Sequence, residues 1–219
     1  MKKKSNYNFT STLKKIIPFV LGVAIIQLGV AIFISTNIGS DPFTAFTLGI
    51  SKVIGISTGA ANQIICAVFF ILILILSWRE IKIGTFIALI IAGPFINLMT
   101  FLIAPLHLNE QNIILKIIFL FLSCVIIGIG FSIQKATELG VAPNDLFILV
   151  LTSKSKVEYK WIRITFDLTA LILGLILYGT SSLGTTIGIG TIISALCQGP
   201  IIQFFMPKIE KLINPIIEK

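Results

Sequence analysis

Uncharged stretches of about 20 residues or more recur along this chain, starting near Ile16, Ile56, Ile83, Ile117 and Leu168. Each has the length an α-helix needs to cross the hydrocarbon core of a bilayer. The last stretch runs uncharged from Leu168 to Pro207, and the polar, Gly-flanked patch from Tyr178 to Gly184 divides it as a turn between two helices would. Six spans result, at about 16–37, 56–78, 83–106, 115–135, 163–180 and 184–206. In lipid a spanning segment must satisfy its own backbone, so the fold class is all-α transmembrane. With 219 residues, 56% of them hydrophobic and 12% charged, no soluble domain of useful size is left over.

Basic residues near helix ends stay on the cytoplasmic side. With an inside N-terminus, residues 1–15 form a basic cytoplasmic segment and residues 208–219 a cytoplasmic tail. Of the 17 Lys and Arg residues, only Lys52 and Lys116 then fall outside. That asymmetry accounts for the net charge of +8 through contact with anionic lipid headgroups, and no nucleic-acid role is needed. Cys66, Cys124 and Cys197 all lie inside spans, where a thiol acts as a small apolar group. The Lys-rich start before an apolar run has the outline of a signal peptide, but no small-residue cleavage site follows it.

Two matches within the chain define a repeat. Gly84-Thr85, Gly93-Pro94 and Asn97 recur as Gly190-Thr191, Gly199-Pro200 and Gln203 at a constant offset of 106. Gly29 and the segment Ile38-Gly-Ser-Asp-Pro42 recur as Gly130 and Leu139-Gly-Val-Ala-Pro143 at an offset of 101, in the same order along the chain. The first spans of the two halves, Val23 to Ile34 and Cys124 to Lys135, align at that second offset. The first span therefore has an internal counterpart and is expected to be retained. Repeat 1 covers 16–107 and repeat 2 covers 113–207. Three spans per repeat is an odd number, so the second copy is expected to enter the membrane from the opposite side. Inverted repeats of this kind are characteristic of secondary transporters, although duplication kept only for a stable bundle gives the same pattern.

After the first span of each half comes Gly-x-x-Pro and a short apolar segment, Pro42 to Val53 and Pro143 to Lys154. Pro suits the first helical position and Asp41 the N-cap, while Asn144 and Asp145 supply acceptors in the other first turn. Twelve residues reach only about 18 Å, short of the roughly 30 Å core. These helices are either re-entrant or interfacial. If they are re-entrant, their N-termini point toward the bilayer midplane and a solute site lies between them, with Asp41, Pro42, Thr44, Pro143, Asn144 and Asp145 along the pathway. Asp41 already caps its own helix, so a cation, a proton or an amine-bearing solute suits such a site better than an anion. If they are interfacial, the same acids are ordinary caps.

Arg163 and Asp167 lie four residues apart on one helix face and can pair; with a partner so near, an interfacial anchor is the favoured reading over a proton relay. Gly93-Pro94 and Gly199-Pro200 mark kinks that free a backbone carbonyl and let a neighbour approach. Asn97 and Gln203, one turn beyond each kink, and Gln27 in the first span either line a common cavity or act as glue between helices. The single histidine, His107, lies in a predicted outer loop, and no HExxH, GxSxG or Cys cluster occurs. No enzyme, metal site or cofactor is expected.

The repeated Gly-x-x-Pro segments with their short helices, together with the repeated Gly-Thr and Gly-Pro spans, resemble the bacterial YczE/YitT-like family of membrane proteins, over residues 16 to 207. The likeness is to the YczE-like branch, because the soluble C-terminal domain of YitT-type members has no counterpart after Pro207. It implies a multi-pass protein of the bacterial plasma membrane. Where the resemblance implies a Gly-Pro-Trp-Asp type sequence, the first half has Asp41-Pro42-Phe43-Thr44, with the acid before the proline; Pro143-Asn144-Asp145 fits the pattern better. The expected function is a permease or secondary transporter for a small polar solute. A membrane substrate-binding subunit of a larger complex, or a scaffold that moves nothing, are the alternatives, with a homo-oligomer or a partner subunit as possible assemblies.

Overall fold

The computed structural model describes residues 9–179, 183–184 and 186–217. Eight helices follow in chain order: α1 (Phe9–Thr36), α2 (Pro42–Ile54), α3 (Thr58–Ser77), α4 (Ile83–Ile103), α5 (Ile113–Ala136), α6 (Pro143–Ser155), α7 (Tyr159–Tyr178) and α8 (Ile189–Ile217). All except α2 and α6 are long and apolar enough to cross a membrane. The packing is inside out relative to a soluble protein. Large apolar side chains such as Ile75, Phe101, Ile114 and Ile176 are exposed, whereas Thr85, Ser123, Ser132, Gln134, Thr191 and Ser194 are buried. In hydrocarbon there is no hydrophobic gain from burying Leu or Ile, so polar and small residues fill the helix interfaces.

Four boundaries differ from the sequence reading. α1 begins at Phe9, so the later part of the expected basic N-terminal segment is helical and continues into the first span. α7 begins at Tyr159, four residues before the expected start, because the charge of Arg163 is neutralised inside the bundle and does not mark a span end. α8 begins at Ile189, not near 184, and runs through Pro207 and Pro215 to Ile217, so most of the expected tail is helical. In the expected turn from Tyr178 to Gly184, residues 180–182 lie outside the described residues, as do 1–8 of the basic N-terminal segment and 218–219 at the other end.

α1 packs on α5 and the two short helices pack on the opposite half, α2 against α7 and α6 against α3. Glycines set the closest approaches. A Cβ on Gly22 would sit 2.9 Å from the Gly130 carbonyl oxygen, and one on Gly130 2.8 Å from that of Gly22. Gly174 lies against the backbone of Ala45 and Phe46 in α2.

The irregular backbone before each short helix is held by the other half. The amide of Gly190 donates to the Ile38 carbonyl at 3.1 Å, and the amide of Gly84 donates to the Leu139 carbonyl at 2.8 Å. These are the same bond at repeat-related positions. Gly39 and Gly140, with φ of 127° and 118°, lie against the Gly-Thr pair of the opposite half and have no room for a Cβ. The repeated glycines of the sequence are thus contact points between halves. Inside α4, Pro94 lacks an N–H and leaves the Ile90 carbonyl free, and the side-chain amide of Gln63 donates to it at 2.9 Å.

Gly84→Ala would drive a methyl to within 2.7 Å of the Leu139 carbonyl oxygen. We expect this substitution, and Gly190→Ala, to cost about 1–3 kcal/mol each, read as lowered thermal stability of the detergent-purified protein.

Candidate functional site

α2 and α6 both begin in the interior and end at the surface: Pro42 to Ala45 and Pro143, Asp145 and Leu146 are buried, while Lys52 to Ile54 and Ser153 to Ser155 are exposed. Their first turns meet across one internal cavity of about 60 Å³. Asp41 caps α2 through Oδ1, which accepts the Thr44 N–H at 3.1 Å, and it is 4% exposed. Its Oδ2 has no partner among the described residues. In α6 the cap position is Ala142, with no side-chain bond, and the acid sits in the first turn as Asp145.

Asp145 reaches out to α7. Arg163 Nη1 donates to Asp145 Oδ1 at 3.0 Å and Arg163 Nε donates to Asp167 Oδ2 at 3.0 Å. The sequence reading pairs Arg163 with Asp167 as an interfacial anchor, and the pair does form, but its location is different. Arg163 is 4% exposed and Asp167 is fully buried, and the guanidinium lines the cavity. The loop-and-short-helix segment carrying Asp145 decides this, by providing a second carboxylate deep in the bundle. A guanidinium held by two carboxylates is the form in which a buried cation is tolerated.

Of the expected pathway residues, Gln27, Asp41, Thr44, Asn144 and Asp145 line this cavity, whereas Pro42 and Pro143 start their helices beside it without lining it. Asn97 and Gln203 do not line it and are exposed. Asn97 instead joins α4 to the start of α3, accepting the Gly59 N–H at 3.2 Å and donating to Ser57 Oγ at 3.4 Å. Two buried amides that the sequence reading passed over, Gln134 and Gln198, take the cavity positions. Gln198 and Gln203 are five residues apart, which at 3.6 residues per turn sets them roughly 140° apart around the helix. An amide just before Gly199-Pro200 was the available signal. Gly93, Pro94, Gly199 and Pro200 lie within continuous helices, with Gly93 packed against Gly59 of α3.

Most of the cavity wall comes in pairs at the repeat offsets. Ile26 and Ile127, Val30 and Phe131, Asp41 and Ala142, Phe43 and Asn144, Thr44 and Asp145, and Asn62 and Arg163 are related by 101, while Ala92 and Gln198, and Ile96 and Ile202, are related by 106. The apolar pairs match in kind. The polar pairs do not: each half supplies an acid, three residues apart in register, and one half supplies the only guanidinium among the lining residues.

Phe43 also belongs to a ring cluster with Phe69, Phe147 and Phe166, whose centroids lie 5.1–6.4 Å apart. A second, polar cavity of about 290 Å³ is lined by Glu80, Lys82, Lys135, Glu138 and Glu210. Val141 and Leu146 line it as well, and their chain neighbours Ala142 and Asp145 line the central cavity, so the start of α6 and the residues just before it contribute to both. At the corresponding place in the first half, Ser40 is tied by its amide and its hydroxyl to the Thr186 carbonyl, at 3.0 and 3.1 Å.

Six membrane-length helices around a polar, ion-paired interior define a multi-pass helical membrane protein. The chain belongs to the family described as "Family of unknown function (DUF6198)", whose model matches residues 13–207. It is 28% identical over 199 residues to the "Uncharacterized membrane protein YczE" of Bacillus subtilis, covering 90% of this chain and 87% of that one. It is 29% identical over 192 residues to the "Uncharacterized protein YyaS" of the same organism, with 87% and 92% covered, and 23% identical over 216 residues to an "Uncharacterized protein" of Haemophilus influenzae, with 96% and 92% covered. The YczE-like resemblance of the sequence is thereby established. No solved structure matches the chain.

Removing one member of a buried ion pair leaves an uncompensated charge, which costs about 3–5 kcal/mol. Arg163→Met is expected to destabilise the protein by that much in a denaturation assay. Replacing Asp145 and Asp167 by Leu in the same chain should restore most of the loss.

Proposed function

We propose that this chain is a small-solute permease or secondary transporter of the bacterial plasma membrane, with both termini cytoplasmic. The observation that carries this reading is the central cavity, walled by repeat-related residue pairs and flanked by the first turns of two short, partly buried helices. Six crossings give three to each half, so the second half is inverted and α2 and α6 are re-entrant from opposite sides. Broken elements meeting at a midplane site between inverted repeats are the common plan of secondary transporters. The protein acts on its solute by binding and passage, without chemical conversion or a cofactor.

The two sides of the cavity differ in a way that suits alternating access. Toward Lys82 and Lys135, Val141 and Leu146 line a wide polar vestibule while their chain neighbours Ala142 and Asp145 line the central cavity. In the first half the equivalent loop is bonded shut by Ser40 on Thr186. On this reading the molecule is occluded with its inner gate nearer to opening, and the vestibule, which carries Lys82 and Lys135 beside three glutamates, is cytoplasmic.

The test uses a chain in which Cys66, Cys124 and Cys197 are replaced and a single cysteine is introduced. Val141→Cys should react with a membrane-impermeant maleimide from the cytoplasmic side only. Ser40→Cys should react from the outside, and more so once the inner position carries a bulky adduct. Asp145→Asn should reduce uptake of the transported solute into proteoliposomes to background. Reactivity at both positions that never responds to the other favours a scaffold, and uptake that appears only with a copurifying ATPase favours a binding subunit of a larger complex.

A further inference from the structure

We infer that the central cavity binds a primary ammonium group, and that the carried solute is a small alkylammonium cation; the second half of the statement rests on the permease reading. Three buried oxygens on the cavity wall have no hydrogen-bond partner among the described residues: Asp41 Oδ2, Gln27 Oε1 and Gln134 Oε1. They come from three separate elements, α1, the cap of α2 and α5. Gln27, Asp41 and Gln134 are 7%, 4% and 1% exposed, so lipid and bulk water do not solvate them. Buried acceptors left unpaired cost free energy, and all three belong to residues that line one cavity.

Charge selects the sign of the occupant. Arg163 is the one cation among the lining residues, and it is committed to Asp145 and Asp167 at 3.0 Å each. Asp41 makes no ion pair among the described residues. A carboxylate within a membrane bundle is costly without a counter-charge, and an anion entering beside it would raise that cost. A cation removes it.

Size and wall chemistry select the kind of cation. A volume of about 60 Å³, where one water needs about 10–15 Å³, admits only a few water-sized groups. Hard metal cations take about six to eight oxygen ligands. Three unpartnered acceptors against apolar neighbours such as Ile96 and Ile202 fall short of that shell. A primary ammonium carries three N–H donors, as a lysine head does, which matches three acceptors, and a methyl or ethyl group suits the apolar remainder.

The experiment uses the full chain, purified in detergent and reconstituted in proteoliposomes, with methylammonium as the probe and with methanol and formate as neutral and anionic counterparts of similar size. Methylammonium should raise the melting temperature saturably, and the two counterparts should not. Asp41→Asn, which keeps the helix cap, should weaken methylammonium binding at least about tenfold, equivalent to about 1.4 kcal/mol. Gln27→Met, which removes an acceptor and no charge, should weaken it several-fold. Binding that is unchanged in both variants, or saturable binding of formate or methanol in place of methylammonium, overturns the inference. Methylammonium binding in detergent without uptake into proteoliposomes upholds the ammonium site and overturns the permease reading.

Discussion

Irregular backbone inside a lipid-facing bundle has no water to satisfy it, and the rest of this structure follows from how that problem is solved. The loop leading to α2 and the loop leading to α6 each offer a carbonyl to the amide of a glycine on the last helix of the opposite half. Gly39 and Gly140 let the loops come close enough, and Gly190 and Gly84 receive them. Neither half can satisfy its own loop, so the halves fold onto each other or leave polar groups exposed to hydrocarbon. The same exchange draws the starts of the two short helices inward, to opposite walls of one cavity.

Once the short helices are anchored, electrostatics decides what the interior can contain. Asp145 enters the bundle on α6 and requires a cation, which α7 supplies as Arg163. Asp167 shares that guanidinium from one turn along. The repeat-related positions in the first half, Thr44, Asn62 and Cys66, are neutral. One half thus holds an ion-paired arrangement, in which Asp167 Oδ1 still has no partner among the described residues, and the other presents a single carboxylate without an ion pair. Positions matched in sequence between the halves differ in charge.

Sequence periodicity reached some of this and missed the rest for identifiable reasons. Asp41 as an N-cap, the starts of α2 and α6, and the pairing of Arg163 with Asp167 are local, set by spacing along one helix. The sequence leaves Asn97 and Gln203 either at a cavity or joining helices, and Asn97 does the second; repetition reports equivalence between halves and not which side of a helix faces in. Asn97 faces α3 and Gln134 and Gln198 face the cavity. The depth of Arg163 was equally hidden, since an arginine at a span end reads as interfacial until a carboxylate from another element is seen beside it.

By itself, the sequence determined the membrane setting, the six helices of spanning length and the short helices after each Gly-x-x-Pro, because hydrocarbon thickness and backbone hydrogen bonding constrain those through local chemistry. The tertiary structure alone decided which polar residues of different elements converge: Asp41 with Asp145, Arg163 with Asp145, and Gln27 with Gln134. Those juxtapositions join residues of different helices, and packing of the two halves against each other, which no local spacing encodes, brings them together.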